Sequence, residues 1–391
     1  MRVNTKNGLK VNKEISKKSE LKTVAMLFAK LGVIAFGGPA AHIAMMRNEV
    51  VVKRAWMTDQ HFLDLVGATN LIPGPNSTEM TMHIGRERAG WKGLVVAGVC
   101  FILPAVLLTG VFAWLYKQYG QLPQVQPFIY GIKPAIIAIV LAAIFPLAKQ
   151  ALKSVALLLL GVVAFALALA GINEIVILFG AGLLVLLLTY VKMKQRPVLK
   201  NGLFPFTLLQ VATPSLLAVN NTHLFFIFLK VGAILYGSGY VLFAFLDAEL
   251  VATGLLSRQQ LIDAIAVGQA TPGPVFSSVT FIGYQMNNWS GAAAATIGIF
   301  LPSFLFVALL NPLVKKLQTS TLFRAFLDAV NVASVALIAA VCIEMGRETI
   351  TDWRTVLIAV ISLIITFRYR NTNSVFIVLG GAFAGYVLSL I

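Results

Sequence analysis

Five stretches of this chain, Leu94–Tyr116, Ser154–Ile172, Ile175–Val191, Ala292–Val314 and Ser374–Ile391, run for 17 to 23 residues without an Asp, Glu, Lys or Arg. A helix crossing roughly 30 Å of hydrocarbon needs about 20 apolar residues at 1.5 Å each. Lipid offers no hydrogen bonds, so a spanning segment must satisfy its own backbone, as a helix does. The remainder agrees: 58% of the 391 residues are apolar, 12% are charged and the mean hydropathy is +0.85. One water-facing core could not absorb that surface, so the sequence predicts an all-α, polytopic membrane protein. Pro134–Ala148, Ala329–Ile343 and Thr355–Phe367 are shorter spans that need their flanks, and residues 203–219 form the weakest candidate.

The 31 Lys and Arg against 15 Asp and Glu give a net charge of +16. Those cations sit in short gaps between apolar runs and in residues 1–22, which hold seven Lys/Arg and two Glu. That is the pattern of cytoplasmic loops, so no nucleic-acid partner is expected, and residues 1–22 read as a basic cytoplasmic tail. The two cysteines, Cys100 and Cys342, lie inside apolar runs and read as small packing residues. His42, His61, His83 and His223 show no metal-ligand spacing, and no nucleotide-binding motif is visible. Neither a metal nor a cofactor is expected.

Four apolar segments are interrupted: 24–46 by FGGP, 62–84 by IPGP, 226–246 by YGSG and 261–285 by TPGP. Gly and Pro free backbone groups that lipid cannot satisfy, so these breaks should face protein or a wet cavity. They also repeat. Lys30, Gly32, Gly37 and Glu49 match Lys230, Gly232, Gly237 and Glu249 at an offset of 200. Asp64 and Pro73-Gly74-Pro75 match Asp263 and Pro272-Gly273-Pro274 at 199, and Gly85, Trp91, Gly93 and Pro104 match Gly283, Trp289, Gly291 and Pro302 at 198. Residues 24–150 and 226–348 therefore read as two copies of one unit, with 151–225 as connecting helices and linker and 349–391 as C-terminal transmembrane helices.

Charge placement orients the copies. The gaps of copy one are basic (Arg47, Lys53 and Arg54, then Arg86, Arg88 and Lys92), whereas Ala264–Val314 in copy two carries no charge. After the next helix the pattern reverses, with Lys117 alone in copy one but Lys315, Lys316 and Arg324 in copy two. Lys/Arg excess marks the cytoplasmic side, so the copies should be inverted. The topology closes if each broken segment is a hairpin returning to its own side. Roughly five crossings then separate the copies, the weak 203–219 among them.

The strings FGGPAAHIAMM (36–46), FLDLVGATNLIPGPNSTEM (62–80), HIGRERAGWKG (83–93) and GQATPGPVFSSVTFIGY (268–284) closely resemble the chromate ion transporter family, as do FLPSF (300–304) and FLDAVN (326–331). The resemblance covers both copies. It implies a membrane carrier that exports chromate and confers chromate resistance, in some members with sulfate as a competitor or counter-substrate. Departures fall in copy two: Ser238 replaces a common Gly, and Ala329 stands where Gly is usual.

The residues themselves suit a small dianion. A tetrahedral oxyanion needs converging donors without a dense positive cluster, and helix N-termini supply them. Pro75 suits a first helical turn, which would expose the amides of Asn76, Ser77 and Thr78 beside their side-chain donors. Copy two has Val275, Phe276 and Ser277 there, so its donors should be largely lost and the site weighted to copy one. The expected substrate-binding set is Lys30, Gly37, Gly38, Asn70, Gly74, Asn76, Ser77, Thr78, Lys230 and Gly273, with Glu79, His83, Arg86 and Arg88 in coupling or gating. The breaks could instead be packing kinks. Lys30 and Lys230 form a pair balancing a dianion, or snorkel to an interface. Glu79 carries a coupled proton, pairs with a Lys, or closes a salt bridge with Arg86 or Arg88. His42 and His83 titrate during transport or serve as hydrogen-bonded structural groups. Asp64 and Asp263 are expected to cap or pair structurally, and Lys133 and Asn331 are matched polar positions.

The expected protein is a secondary carrier, not an enzyme, working by alternating access in the cell membrane with its N-terminus cytoplasmic. Its partners are chromate, possibly sulfate, the lipid bilayer and, as a possible homodimer, a second copy of the chain. The alternatives are another small-oxyanion carrier and an anion channel.

Overall fold

The computed structural model describes residues 5–36, 38–194, 220–236, 239–369 and 373–390, and within these every regular element is helical. The candidate at 203–219 and the matched Gly37 and Gly237 lie outside the described residues. Five helices are long and apolar enough to cross a membrane. The chain is thus a multi-pass membrane protein.

The first unit begins with α1 (Thr5–Ile34), so the basic N-terminal segment continues into the first helix instead of standing apart from it. The chain leaves helical geometry at residues 35 and 36 and re-enters it as α2 (Gly38–Arg47), which runs into a π-helical turn at Asn48–Lys53. Helix α3 (Asp59–Thr69) is capped by Thr58, whose hydroxyl accepts from the His61 amide. The IPGP break follows, and then α4 (Asn76–Tyr119).

Helix α4 is two arms. Ala89 and Gly90 are non-helical, with φ +63° at Gly90, a value a glycine adopts freely. A Cβ on Gly85 would strike the Gly93 carbonyl and the Ala97 methyl. Residues eight apart touch only if the chain doubles back. Arm 76–88 is about 20 Å long and arm 91–119 about 43 Å, so only the second can span. His61 Nε2 lies 2.7 Å from Glu87 Oε1, which brings the start of α3 and the end of the short arm together. That is the hairpin returning to its own side that the sequence predicts.

Past the boundary at 150 expected from the sequence, the unit continues through α5 (Gln126–Ala151), α6 (Val155–Leu169) and α7 (Glu174–Lys194), whose packing is also duplicated. The second unit repeats it with α8 (Asn221–Ile234), α9 (Val241–Leu246) with a π-helical turn at Asp247–Val251, α10 (Arg258–Ala270), α11 (Ser278–Thr319), α12 (Thr321–Thr349), α13 (Trp353–Arg368) and α14 (Ser374–Ser389). In α11 the turn is at Asn287 and Asn288, where φ is +50°, and Gly283 packs on Gly291 and Ala295. The packing is equally duplicated: α1 lies on α4 as α8 lies on α11, and α5 packs on α13 and α14 as α12 packs on α6 and α7.

The two units are inverted. Lys117, near the far end of α4, donates to Asn288 Oδ1 at 2.8 Å, while Arg86 donates to the carbonyls of Val307 and Ala308 at 2.9 and 3.0 Å. The long arms of α4 and α11 therefore run antiparallel, with Arg88 and Asn288 at opposite ends. Trp91 and Trp289, both more than half exposed, follow the two turns at those opposite ends, the placement expected of interfacial tryptophans.

Candidate functional site

The breaks converge half-way along the long arms. The Gly74 amide donates to the Leu235 carbonyl at 2.8 Å, and the Gly273 amide donates to the Ala35 carbonyl at 2.8 Å. Each PGP tip thus bonds the first break of the other unit, and the two bonds are related by the repeat. Both glycines have positive φ, +135° and +92°. A Cβ on Gly74 would collide with the Glu79 carboxylate and the Ser303 hydroxyl, and one on Gly273 would meet the Ala105 methyl at 2.9 Å. These two amides are therefore already satisfied across the repeat interface.

Helix α4 starts one residue later than the sequence suggests, with Pro75 as the cap in extended geometry. The Thr78 and Glu79 amides donate to the Pro75 carbonyl, which leaves the amides of Asn76 and Ser77 with no backbone acceptor among the described residues. The Asn76 side-chain amide donates to Asn70 Oδ1 at 2.6 Å. Ser77 faces His42, whose Nδ1 is 3.3 Å from Ser77 Oγ and whose Nε2 is 3.0 Å from the Ala35 carbonyl. A carbonyl only accepts, so Nε2 carries the hydrogen and, in the neutral imidazole, Nδ1 accepts from Ser77. His42 thereby ties α2 to two breaks at once.

Around this junction lie buried polar atoms that have no hydrogen-bond partner among the described residues: Thr78 Oγ1, both Glu79 oxygens, His83 Nε2, Gln269 Nε2, Ser278 Oγ and Ser303 Oγ. Native interiors leave few such groups. Ser303, Ser278 and Gln269 belong to copy two, so the sequence expectation that its donors are largely lost is corrected. The two residues after its PGP, Val275 and Phe276, are indeed apolar, but donors arrive from the helix before the break, from beyond Ser277, and from the long arm of α11. Gln269 is also the repeat partner of Asn70 at offset 199, a signal present in the sequence.

The other predicted residues are placed as follows. Gly38 opens α2 at φ +80° beside the Tyr240 hydroxyl. Lys30 Nζ lies 3.6 Å from Glu49 and Lys230 Nζ lies 2.6 Å from Glu249, so each ammonium faces the matched acid of its own unit. Glu49 also holds Lys53 and Arg54; hydrogen bonding from Lys53, then from Arg54, outweighs burial and keeps its carboxyl at about 2. Arg88 pairs with Glu20 at 3.5 Å, and Arg86 stacks on Trp91 while bonding α11. Neither arginine reaches Glu79. His83 is buried one turn beyond Glu79.

One difference between the units bears on mechanism. In α10, Leu261–Ala266 are all buried, and Asp263 is held by Lys133 at 3.3 Å and by the Tyr116 hydroxyl at 2.6 Å. In α3 the matched Asp64 is exposed, its one hydrogen bond among the described residues coming from Gln60, and Gln60, Asp64, Gly67 and Asn70 form one open face at helical spacing. A face carrying Asp, Asn and Gln suits water and not lipid. Toward the end of the molecule marked by Arg88 this face of α3 is exposed, whereas toward the opposite end the matched stretch of α10 is packed.

Among the described residues no group of His, Cys, Asp and Glu could hold a metal ion, and both cysteines are free. Such an assembly can present donors from both units to a small anion at the tips.

The sequence profile of the chromate transporter family matches residues 22–186 and 222–386. A probable chromate transport protein of Synechococcus elongatus is 30% identical over 381 residues, covering 94% of this chain and 95% of that one. Chromate transport proteins of Cupriavidus metallidurans and Pseudomonas aeruginosa are 29% and 28% identical, over 94% and 92% of this chain and 93% and 91% of theirs. No solved structure matches the chain.

Proposed function

The chain belongs to the chromate transporter family, and from that premise we propose that it carries chromate out of the cytoplasm by alternating access, conferring resistance. The observation that carries this reading is the junction where the PGP tip of each inverted unit bonds the first break of the other, amid unpaired buried donors from both. The amides of Asn76 and Ser77, with Thr78, Ser278, Ser303 and Gln269, replace the hydration of a tetrahedral dianion, and the positive end of the α4 dipole balances part of its charge. Lys30 and Lys230 act at a distance, because each is already paired.

The same hairpin in two environments supports the alternating step. With α3 open and α10 packed, exchange of these two arrangements would close the Arg88 end and open the Asn288 end around a fixed junction. Arg47, Lys53, Arg54, Arg86 and Arg88 at the open end favour the cytoplasmic side, with the N-terminus there, and attract anions to it. Purified protein in liposomes with defined ions on each face tests the proposal. Saturable chromate flux with counterflow is the expected result. Flux that follows voltage without counterflow would indicate a channel, and sulfate flux without chromate flux would change the cargo.

A further inference from the structure

Glu79 is fully buried in the first turns of α4, and among the described residues neither of its oxygens completes a hydrogen bond, the Ser303 hydroxyl being the polar side chain beside its carboxyl. Among the described residues no cation neutralises it: Lys30 and Lys230 are held by glutamates, Arg86 by two carbonyls and Arg88 by Glu20. The polar groups around it carry no fixed charge. Ser303 approaches from α11 across Gly74, Tyr236 from the break after α8, Thr78 and His83 lie on its own helix, and His42 of α2 is reached through Ser77.

A carboxylate removed from water without a partner costs several kcal/mol, and a dianion brought to the same tip adds like-charge repulsion. A protonated carboxyl avoids both penalties and adds a donor to a site that needs donors. The arrangement belongs to one tip alone. At offsets of 199 and 198, Gly74, Glu79 and Ser303 correspond to Gly273, Ser278 and Ala105, so the second tip has a hydroxyl where the first has an acid.

We propose that Glu79 binds the cargo as a protonated carboxyl, donating its O–H to an oxygen of the oxyanion, so that one proton occupies the site with each dianion. This rests on the anion-carrier reading above. Glu79 takes that proton from water while the site is open and keeps it; nothing covalent joins it to the cargo. Ser303 accepts or donates beside it and orients the carboxyl.

Infrared difference spectra of the purified full chain, recorded as sulfate or chromate is added, test this. The expected result is an anion-sensitive C=O band of a protonated carboxyl that disappears in Glu79→Gln. Because the amide is also a neutral donor, Glu79→Gln should bind both anions within about threefold of wild type, whereas Glu79→Leu should lose at least about tenfold, the value of one hydrogen bond to a charged group. Ser303→Ala, a smaller change, should shift the band without abolishing it. An anion-sensitive band of ionised carboxylate, or a carboxyl band that persists in Glu79→Gln, would overturn the proposal while leaving the carrier reading intact. Absence of binding of either anion to wild type would remove both.

Discussion

Replacing Lys133 by Met tests whether the Asn288 end is held shut by one buried network. Lys133 Nζ lies 3.3 Å from Asp263 Oδ1 and 2.7 Å from Gln259 Oε1, and the two charged side chains are only 17% and 6% exposed. Removing one member of a buried ion pair costs about 3–5 kcal/mol, because the survivor is left uncompensated. Tyr116 still donates to Asp263 at 2.6 Å, so the carboxylate keeps one partner and the lower figure applies. A loss of about 3 kcal/mol from the packed arrangement of α10 changes the balance between closed and open by about 150-fold. The assay is maleimide labelling of a cysteine at Ile265, buried in the closed arrangement, with impermeant reagent on the Asn288 side. Lys133→Met should label far faster, and adding Asp263→Asn should restore protection, because the stranded charge is then gone. A double-variant coupling of about 2 kcal/mol is expected. Unchanged labelling in Lys133→Met, or simple additivity in the double variant, would refute the reasoning.

Further outcomes follow from the same geometry. Gly74→Ala forces a side chain to adopt φ +135° and drives a methyl into Glu79 and Ser303; strain and overpacking together cost about 2–5 kcal/mol, so transport should be lost while membrane insertion persists in a pulse-labelling assay. Cysteines placed near Arg88 and near Asn288 should be reached by impermeant reagent from opposite membrane faces, and labelling from the same face would break the inversion. Glu49 has a carboxyl held near 2, below the ordinary value of about 4.3, so its contribution is complete above that value and is lost as pH falls through 2. The difference in melting temperature between wild type and Glu49→Gln should therefore be flat from about pH 5 to about pH 8.

The repeat, the breaks and the inversion were legible in the residue order because each has a local cause. Gly85 and Gly93 match Gly283 and Gly291 since close-packed arms tolerate no Cβ, and the PGP triplets recur because a proline cannot extend the preceding helix. The donors were only half legible. Asn76, Ser77 and Thr78 are visible as side chains after a break, but whether each is free depends on neighbours: Asn70 takes Asn76, His42 takes Ser77, and Thr78 alone remains unpaired. The Lys30 and Lys230 partners were hidden in plain view as the matched pair Glu49 and Glu249.

By itself the order of residues determined the membrane environment, the two units and where each helix stops, since hydropathy over about 20 residues, the missing N–H of proline and the free φ of glycine act within a turn or two of the chain. Only the tertiary structure decided which tip meets which break, that Gly74 bonds Leu235 and Gly273 bonds Ala35, and that Asp263 is locked while Asp64 stands open. Those pairings join groups 130 to 238 positions apart. What selects them is the packing of complete helices, a quantity to which no short stretch of sequence corresponds.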